Sequence, residues 1–145
     1  MPTVRRQRTF DAALEDVWRV VADPYALPRW WPRVRRVEAA TPVGWTAVLA
    51  TDRGKQVRAD YRLVDSRAPS LRAWAQEVEG TPFERILAEA VTEAALEAEG
   101  DGVRVSLTLR QRMRGMARLG GFMVRRATAR VLDEALEGLE RACAR

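Results

Sequence analysis

The spacing of hydrophobic positions changes several times along the chain, and each change marks an element. Residues 3–10 alternate, with Thr3, Val4, Thr9 and Phe10 β-branched or aromatic among arginines, which predicts a first strand at a sheet edge. Leu14, Val17, Trp18 and Val21 then share one helical face, with Asp11 as the expected N-cap and Glu15 and Asp16 in the first turn. Pro24 disfavours helical geometry in the residue before it, so this helix is expected to end by Asp23. The segment 24–32, PYALPRWWP, predicts a short helix or turns that plug one end of a core, the alternative being that the Trp30-Trp31 pair stacks on a ligand or nucleobase. Residues 34–41 and 45–51 read as short strands around a turn at Pro42, Val43 and Gly44. Residues 56–64 alternate, with Val57, Ala59, Tyr61 and Leu63 on one face and Arg58, Asp60 and Arg62 on the other.

Residues 71–78 predict another strand, but Trp74, Gln76 and Val78 compete with Leu71, Ala73 and Ala75 for the inside. Residues 82–99 are ambiguous at the level of pattern. Ala, Glu and Leu favour a helix, and Leu87, Val91, Ala94 and Ala98 have helical spacing. Ala88, Ala90, Thr92, Ala94, Leu96 and Ala98 also alternate as one face of a strand, with Glu89, Glu93 and Glu97 on the other. Glu99, Gly100, Asp101 and Gly102 suit a hairpin turn, and Val103, Val105, Leu107 and Leu109 define a clear strand after it. Residues 116–145 predict one long amphipathic helix. Val124, Thr128, Val131, Leu132, Ala135, Leu139, Ala142 and Cys143 fall three and four apart, and charged residues fill the other sides.

Composition narrows the chemistry. The 145 residues predict a single domain spanning 1–145. No window of about 18 apolar residues exists, so no transmembrane helix is expected. The N-terminal residues lack an apolar run, which makes a cytoplasmic protein the expectation. Histidine is absent, which removes the usual general base at neutral pH and the usual imidazole metal ligand. Cys143 is the single cysteine, so neither an internal disulfide nor a thiolate cluster can form. No metal and no cofactor are therefore expected. The net charge is +5, carried by arginine with Lys55 the one lysine. The arginines are interleaved with acids, which fits a mixed solvated surface better than a nucleic-acid patch. The candidate patch for that weaker alternative, a basic nucleic-acid or membrane-surface protein, is Arg5, Arg6 and Arg8 with Arg29, Arg33, Arg35 and Arg36.

The element order resembles the START-like superfamily, also called SRPBCC, particularly its polyketide cyclase/dehydrase and lipid-transport branch. The likeness is carried by Val17-Trp18, Asp23-Pro24, Trp31-Pro32, the run from Glu99 to Val105, and Leu119-Gly120-Gly121-Phe122-Met123. It covers nearly the whole chain. The resemblance implies an α+β helix-grip fold: a curved antiparallel sheet wrapped around a long C-terminal helix, with two short helices after the first strand. It also implies that residues 82–99 are mostly strand, and that a cavity lies between sheet and helix. Tyr61, Trp74, Gln76, Thr92, Phe122 and Thr128 are the expected lining. The expected function is binding or transfer of a hydrophobic small molecule such as a lipid, quinone or polyketide. The alternative is a polyketide cyclase or aromatase acting in the same cavity, with Tyr61 or an inward carboxylate or arginine moving protons. Oligomeric state and ligand identity are left open.

Overall fold

The computed structural model describes residues 3–51, 53–115 and 121–143. Seven strands form one antiparallel sheet in the order β1-β7-β6-β5-β4-β3-β2. They are β1 Thr3–Phe10, β2 Val34–Thr41, β3 Gly44–Ala50, β4 Gln56–Arg67, β5 Leu71–Gln76, β6 Leu87–Glu99 and β7 Gly102–Met113. The sheet is curved and open, and grips the helix α3, Gly121–Cys143. Two short helices, α1 Leu14–Val21 and α2 Leu27–Trp30, follow β1. This is the expected helix-grip architecture, with β1 at an edge.

Three local differences have physical causes. The N-cap of α1 is Ala13, not Asp11, and no side chain caps it. Ala12 is buried in the core, so the chain stays extended through Ala13 before turning helical. Asp23, extended before Pro24, instead accepts a hydrogen bond from the Tyr25 N–H and caps a 3₁₀ turn, Pro24–Ala26. Residues 82–99 split, with a 3₁₀ turn at Pro82–Arg85 and then β6. Here tertiary pairing overrides helix propensity. β6 lies between β5 and β7, and as a helix it would leave both neighbours with unpaired edges. The β6–β7 turn is tight: Glu99 pairs with Gly102, and Gly100 takes a φ of 58°, which costs glycine nothing. The predicted start of the last helix at 116–120 lies outside the described residues.

The core comes in two parts. The larger packs Leu132, Ala135, Leu136 and Leu139 of α3 against Phe10, Val103, Val105, Leu107 and Leu96 from the sheet, and against Val17, Leu27 and Trp30 from the short helices. Trp30, at 3% exposure, makes the aromatic-proline segment the plug its composition suggested. The smaller part joins Val78, Leu87 and Ala90, with Phe83 and Met113 against them. Trp74 belongs to the first cluster and Val78 to the second, so the Trp74–Gln76–Val78 side of β5 faces inward. Outside, Arg6 pairs with Asp133 at 2.8 Å and Arg8 with Glu140 at 2.9 Å, tying β1 to α3. Both pairs are well exposed, so they fix orientation more than they stabilise.

Candidate functional site

The two hydrophobic clusters do not merge, and the residues between them are polar. On β5, Gln76 lies between Trp74 of the large cluster and Val78 of the small one. On β6, Thr92 lies between Ala94 and Ala90. On β7, Gln111 lies between Leu109 and Met113. Thr128 of α3 sits above this band and donates its hydroxyl to Gln111 Oε1 at 3.1 Å. A staggered polar belt thus interrupts the concave face where a continuous core would be apolar, with Thr92 opposite Trp74 and Leu109 and Gln111 opposite Ala90.

Strand register extends the belt sideways. Trp45 pairs with Tyr61, and Tyr61 pairs with Gln76. Leu63 pairs with Trp74, and Trp74 with Thr92. The Trp45 and Tyr61 rings stack with centroids 5.8 Å apart and planes 17° apart. Trp45 meets Trp74 edge-on at 6.0 Å, Trp74 meets Trp31 at 6.1 Å, and Trp31 meets Trp30 at 5.4 Å. An unbroken run of five aromatic rings therefore leads from the α2 plug to the belt. Edge-to-face contacts of this kind hold ring orientation as well as burying area.

Three N–H donors along this run have no protein partner: Trp30 Nε1, Trp45 Nε1 and Gln76 Nε2. A buried donor left unmade costs roughly 1–3 kcal/mol, so each marks a place where packing was not optimised for the free protein. Burial pushes the Tyr61 hydroxyl up to about 12, which keeps the phenol neutral and able to donate. Arg72 shares the inward side with Trp74 and Gln76. Its guanidinium lies 5.9 Å from the Trp45 ring centre and donates to Ser66 Oγ at 3.3 Å. Burial lowers its pKa, and the charge of Asp23 opposes that shift.

Of the six residues expected to line the site, Tyr61, Trp74, Gln76, Thr92 and Thr128 come together on or above the concave face. Phe122 does not: it is 77% exposed at the head of α3. Helical geometry explains the difference. Six residues of α-helix turn through a full circle and two thirds, so Phe122 points about 120° away from Thr128. Trp45, Arg72 and Gln111 were missed, although parity carried a signal for two of them. Gln111 continues the inward series Val103, Val105, Leu107, Leu109, and Arg72 shares parity with Trp74 and Gln76. Trp45 depends on the β3–β4 register, which sequence spacing does not supply.

The arginines weighed as a nucleic-acid patch are largely engaged elsewhere. Arg6, Arg8 and Arg36 form ion pairs. Arg29 donates to the Ala142 carbonyl, and Arg33 to that of Ala50. The groove of about 750 Å³ beside Arg29, Arg33 and Arg141 is also lined by Glu134 and Glu137. Among the described residues no cluster of metal-ligating side chains occurs, and no described helix is long and apolar enough to cross a membrane.

Comparison with known proteins agrees with this geometry. The sequence pattern of a family described as "Polyketide cyclase / dehydrase and lipid transport" matches residues 1–144. The chain belongs to that family. Its fold is also similar to solved structures at low sequence identity. A conserved protein from Geobacillus kaustophilus superposes with a TM-score of 0.80 at 14% identity, covering 98% of this chain and 95% of that one. A START superfamily protein from Mycobacterium smegmatis gives 0.79 at 14% identity, covering 97% and 96%. The di-domain ARO/CYC BexL, from the BE-7585A biosynthetic pathway, gives 0.71 at 16% identity, covering 99% of this chain and 51% of that one. At these identities the likeness is one of fold. No curated protein matches the chain.

Proposed function

We propose that the concave face binds a hydrophobic, flat small molecule that presents oxygen acceptors, and that binding or transfer of such a molecule is the protein's role. The observation that carries this reading is the aromatic run with its unpartnered donors. Trp31, Trp45, Tyr61 and Trp74 supply apolar, planar walls. Trp45 Nε1 and Gln76 Nε2 supply donors with no internal use. A guest with carbonyl or hydroxyl oxygens would satisfy them, whereas a plain hydrocarbon would leave them unmade. Family membership and the START-like neighbour support a ligand-binding interior.

The test compares two probes of the same shape, anthraquinone and anthracene, by titrating tryptophan fluorescence. The quinone should bind about tenfold more tightly, the worth of one or two net hydrogen bonds. Gln76→Leu should narrow that preference while leaving anthracene binding intact. Failure of both probes to bind, or equal affinity for the two in the wild-type protein, would sink the reading.

A second reading is catalysis on a bound polyketide-like chain, supported by the family description and by the aromatase/cyclase neighbour. The neutral Tyr61 phenol is then the proton donor, because burial keeps its proton in place at physiological pH. Tyr61→Phe separates the two readings: turnover collapses if the hydroxyl moves protons, and affinity changes little if the protein only binds.

A further inference from the structure

The head of α3 carries a surface that the concave site does not use. Phe122 and Met123 are 77% and 75% exposed, and Arg125 and Arg126 follow them on the same exposed side, one helical turn along. Large apolar side chains at the start of a long helix, with arginines one turn behind, form a short amphipathic face that the other described residues leave exposed.

Its place in the fold follows from three contacts. Thr128 meets Gln111, Asp133 meets Arg6, and Glu140 meets Arg8. Arg6 pairs with Leu107 and Arg8 with Val105, so α3 runs antiparallel to β7. Phe122 then lies about 9 Å beyond Thr128 along the axis, past the end of β7. The same end holds Ile86, half exposed, whose carbonyl accepts from the Arg114 N–H. Among the described residues, Arg85, Arg114, Arg125 and Arg126 form no ion pair, while Arg62 and Arg112 take up Glu77 and Glu89 there. The opposite end carries the acidic β6–β7 hairpin, with Glu97, Glu99 and Asp101, and Asp11 beside it. Glu79 and Glu84 also lie at the first end, and Arg104 takes up Glu97 and Glu99 at the other, yet arginine stays in excess at the first end and acid at the second, so the exposed apolar groups sit at the more basic end.

We propose that this end docks on an anionic lipid bilayer, with Phe122, Met123 and Ile86 entering the headgroup region and the arginines above them contacting lipid phosphates. Apolar side chains favour a bilayer over a nucleic acid, which would use the arginines alone. The proposal deepens the binding reading above and rests on it: Gln111 of the belt lies two residues before the end of β7, so a hydrophobic guest taken from the bilayer would reach the sheet from this end.

Co-sedimentation with vesicles of phosphatidylcholine and phosphatidylglycerol in equal parts, against pure phosphatidylcholine, tests it. The expected result is association with the anionic vesicles alone, weakening as salt is added. Arg125→Glu with Arg126→Glu should reduce it by about tenfold or more, and Phe122→Glu with Met123→Glu by a similar factor. All four side chains are exposed, so both double variants should keep wild-type melting behaviour and wild-type anthraquinone binding in solution. That second readout separates failure of docking from failure of the ligand reading. No association, association indifferent to headgroup charge, or association that survives both double variants would overturn the proposal. So would equally tight binding to polyuridylate that only the arginine variant weakens, which would make the surface one for nucleic acid.

Discussion

Gly138 sits where α3 crosses α2, and alanine there should cost stability despite being the better helix former. A Cβ built on Gly138 would lie 2.4 Å from the Trp30 carbonyl oxygen, 2.9 Å from its Cα and 3.0 Å from its carbonyl carbon. Ordinary contact begins about 1 Å further out, and all three atoms are backbone, so no side chain can swing aside. The two helices must separate by about that distance in a region that includes the buried Leu27, Trp30, Ala135 and Leu139. Strain of this kind costs about 1–3 kcal/mol, toward the upper end for a backbone clash. Alanine returns at most about 1 kcal/mol of helix propensity. The net expectation is a loss of about 2 kcal/mol, or roughly 4–8 °C in melting temperature for a chain of this size. Gly121→Ala is the control. Nothing lies within 4 Å of its built Cβ, so stability should hold or rise slightly. Urea unfolding followed by far-ultraviolet circular dichroism gives both values, and an unchanged slope with a lower midpoint marks a true loss of stability. Trp30 touches Trp31, and Trp31 touches Trp74, so the near-ultraviolet signal of the Gly138 variant should also change. A Gly138→Ala protein as stable as wild type would refute the close approach on which the argument rests.

Other expectations can be read from the same geometry. Gln76→Leu should stabilise the free protein by about 1 kcal/mol in urea, because it removes a buried donor without a partner; a clear loss would mean that the amide is satisfied. Leu132→Ala should cost about 2–5 kcal/mol, since the side chain is fully buried where α3 meets the sheet; an effect below 1 kcal/mol would deny that this is the packed half of the core. Tyr61 gives a pH dependence. Its folded pKa lies above the unfolded one, so the folded state holds the proton more tightly, and its contribution is full below pH 10 and fades as pH rises to about 12. Wild type should lose up to about 2–3 kcal/mol more than Tyr61→Phe over that window, measured by urea unfolding at several alkaline pH values. Equal losses in the two proteins would show that Tyr61 is not desolvated.

What was legible in the sequence, and what was not, divides by range. Strands with strict alternation, such as Val103 to Leu109, were readable because one residue's neighbours two steps away share its fate. That α1 stops before Pro24 was readable, because proline acts on its immediate predecessor, although the helix ends at Val21, two residues before the expected Asp23. β6 was not, because its alanines and glutamates satisfy both periods at once. What decides it is the need of β5 and β7 for a strand between them, a requirement held by residues far along the chain. The inward face of β5 was undecided for a related reason. Ala73 and Ala75 are as buried as Trp74, yet neither joins the clusters around the concave face. Burial alone therefore could not have told the two sides apart.

The candidate site lies at the point where these two kinds of information part. Local pattern puts Gln111 on the parity of an inward series, leaves Gln76 and Thr92 open, and by composition alone each looks like an error in a hydrophobic series. Only strand register shows how they sit: Thr92 lies opposite Trp74 and Leu109, and Gln111 opposite Ala90, so the three are staggered where the two cores meet. A fold selected for stability alone would fill that band with leucine and valine and merge the clusters, gaining about 25 cal/mol for every Å² of apolar surface newly removed from water. The chain instead keeps amides and hydroxyls there, together with the Gln76 N–H and, beside it, the Trp45 N–H, which no described protein atom accepts. Stability forgone where two cores meet, beside an aromatic wall, is the physical mark of a surface shaped for something other than the protein itself. That is why the binding reading rests on the belt rather than on the depth of any one opening.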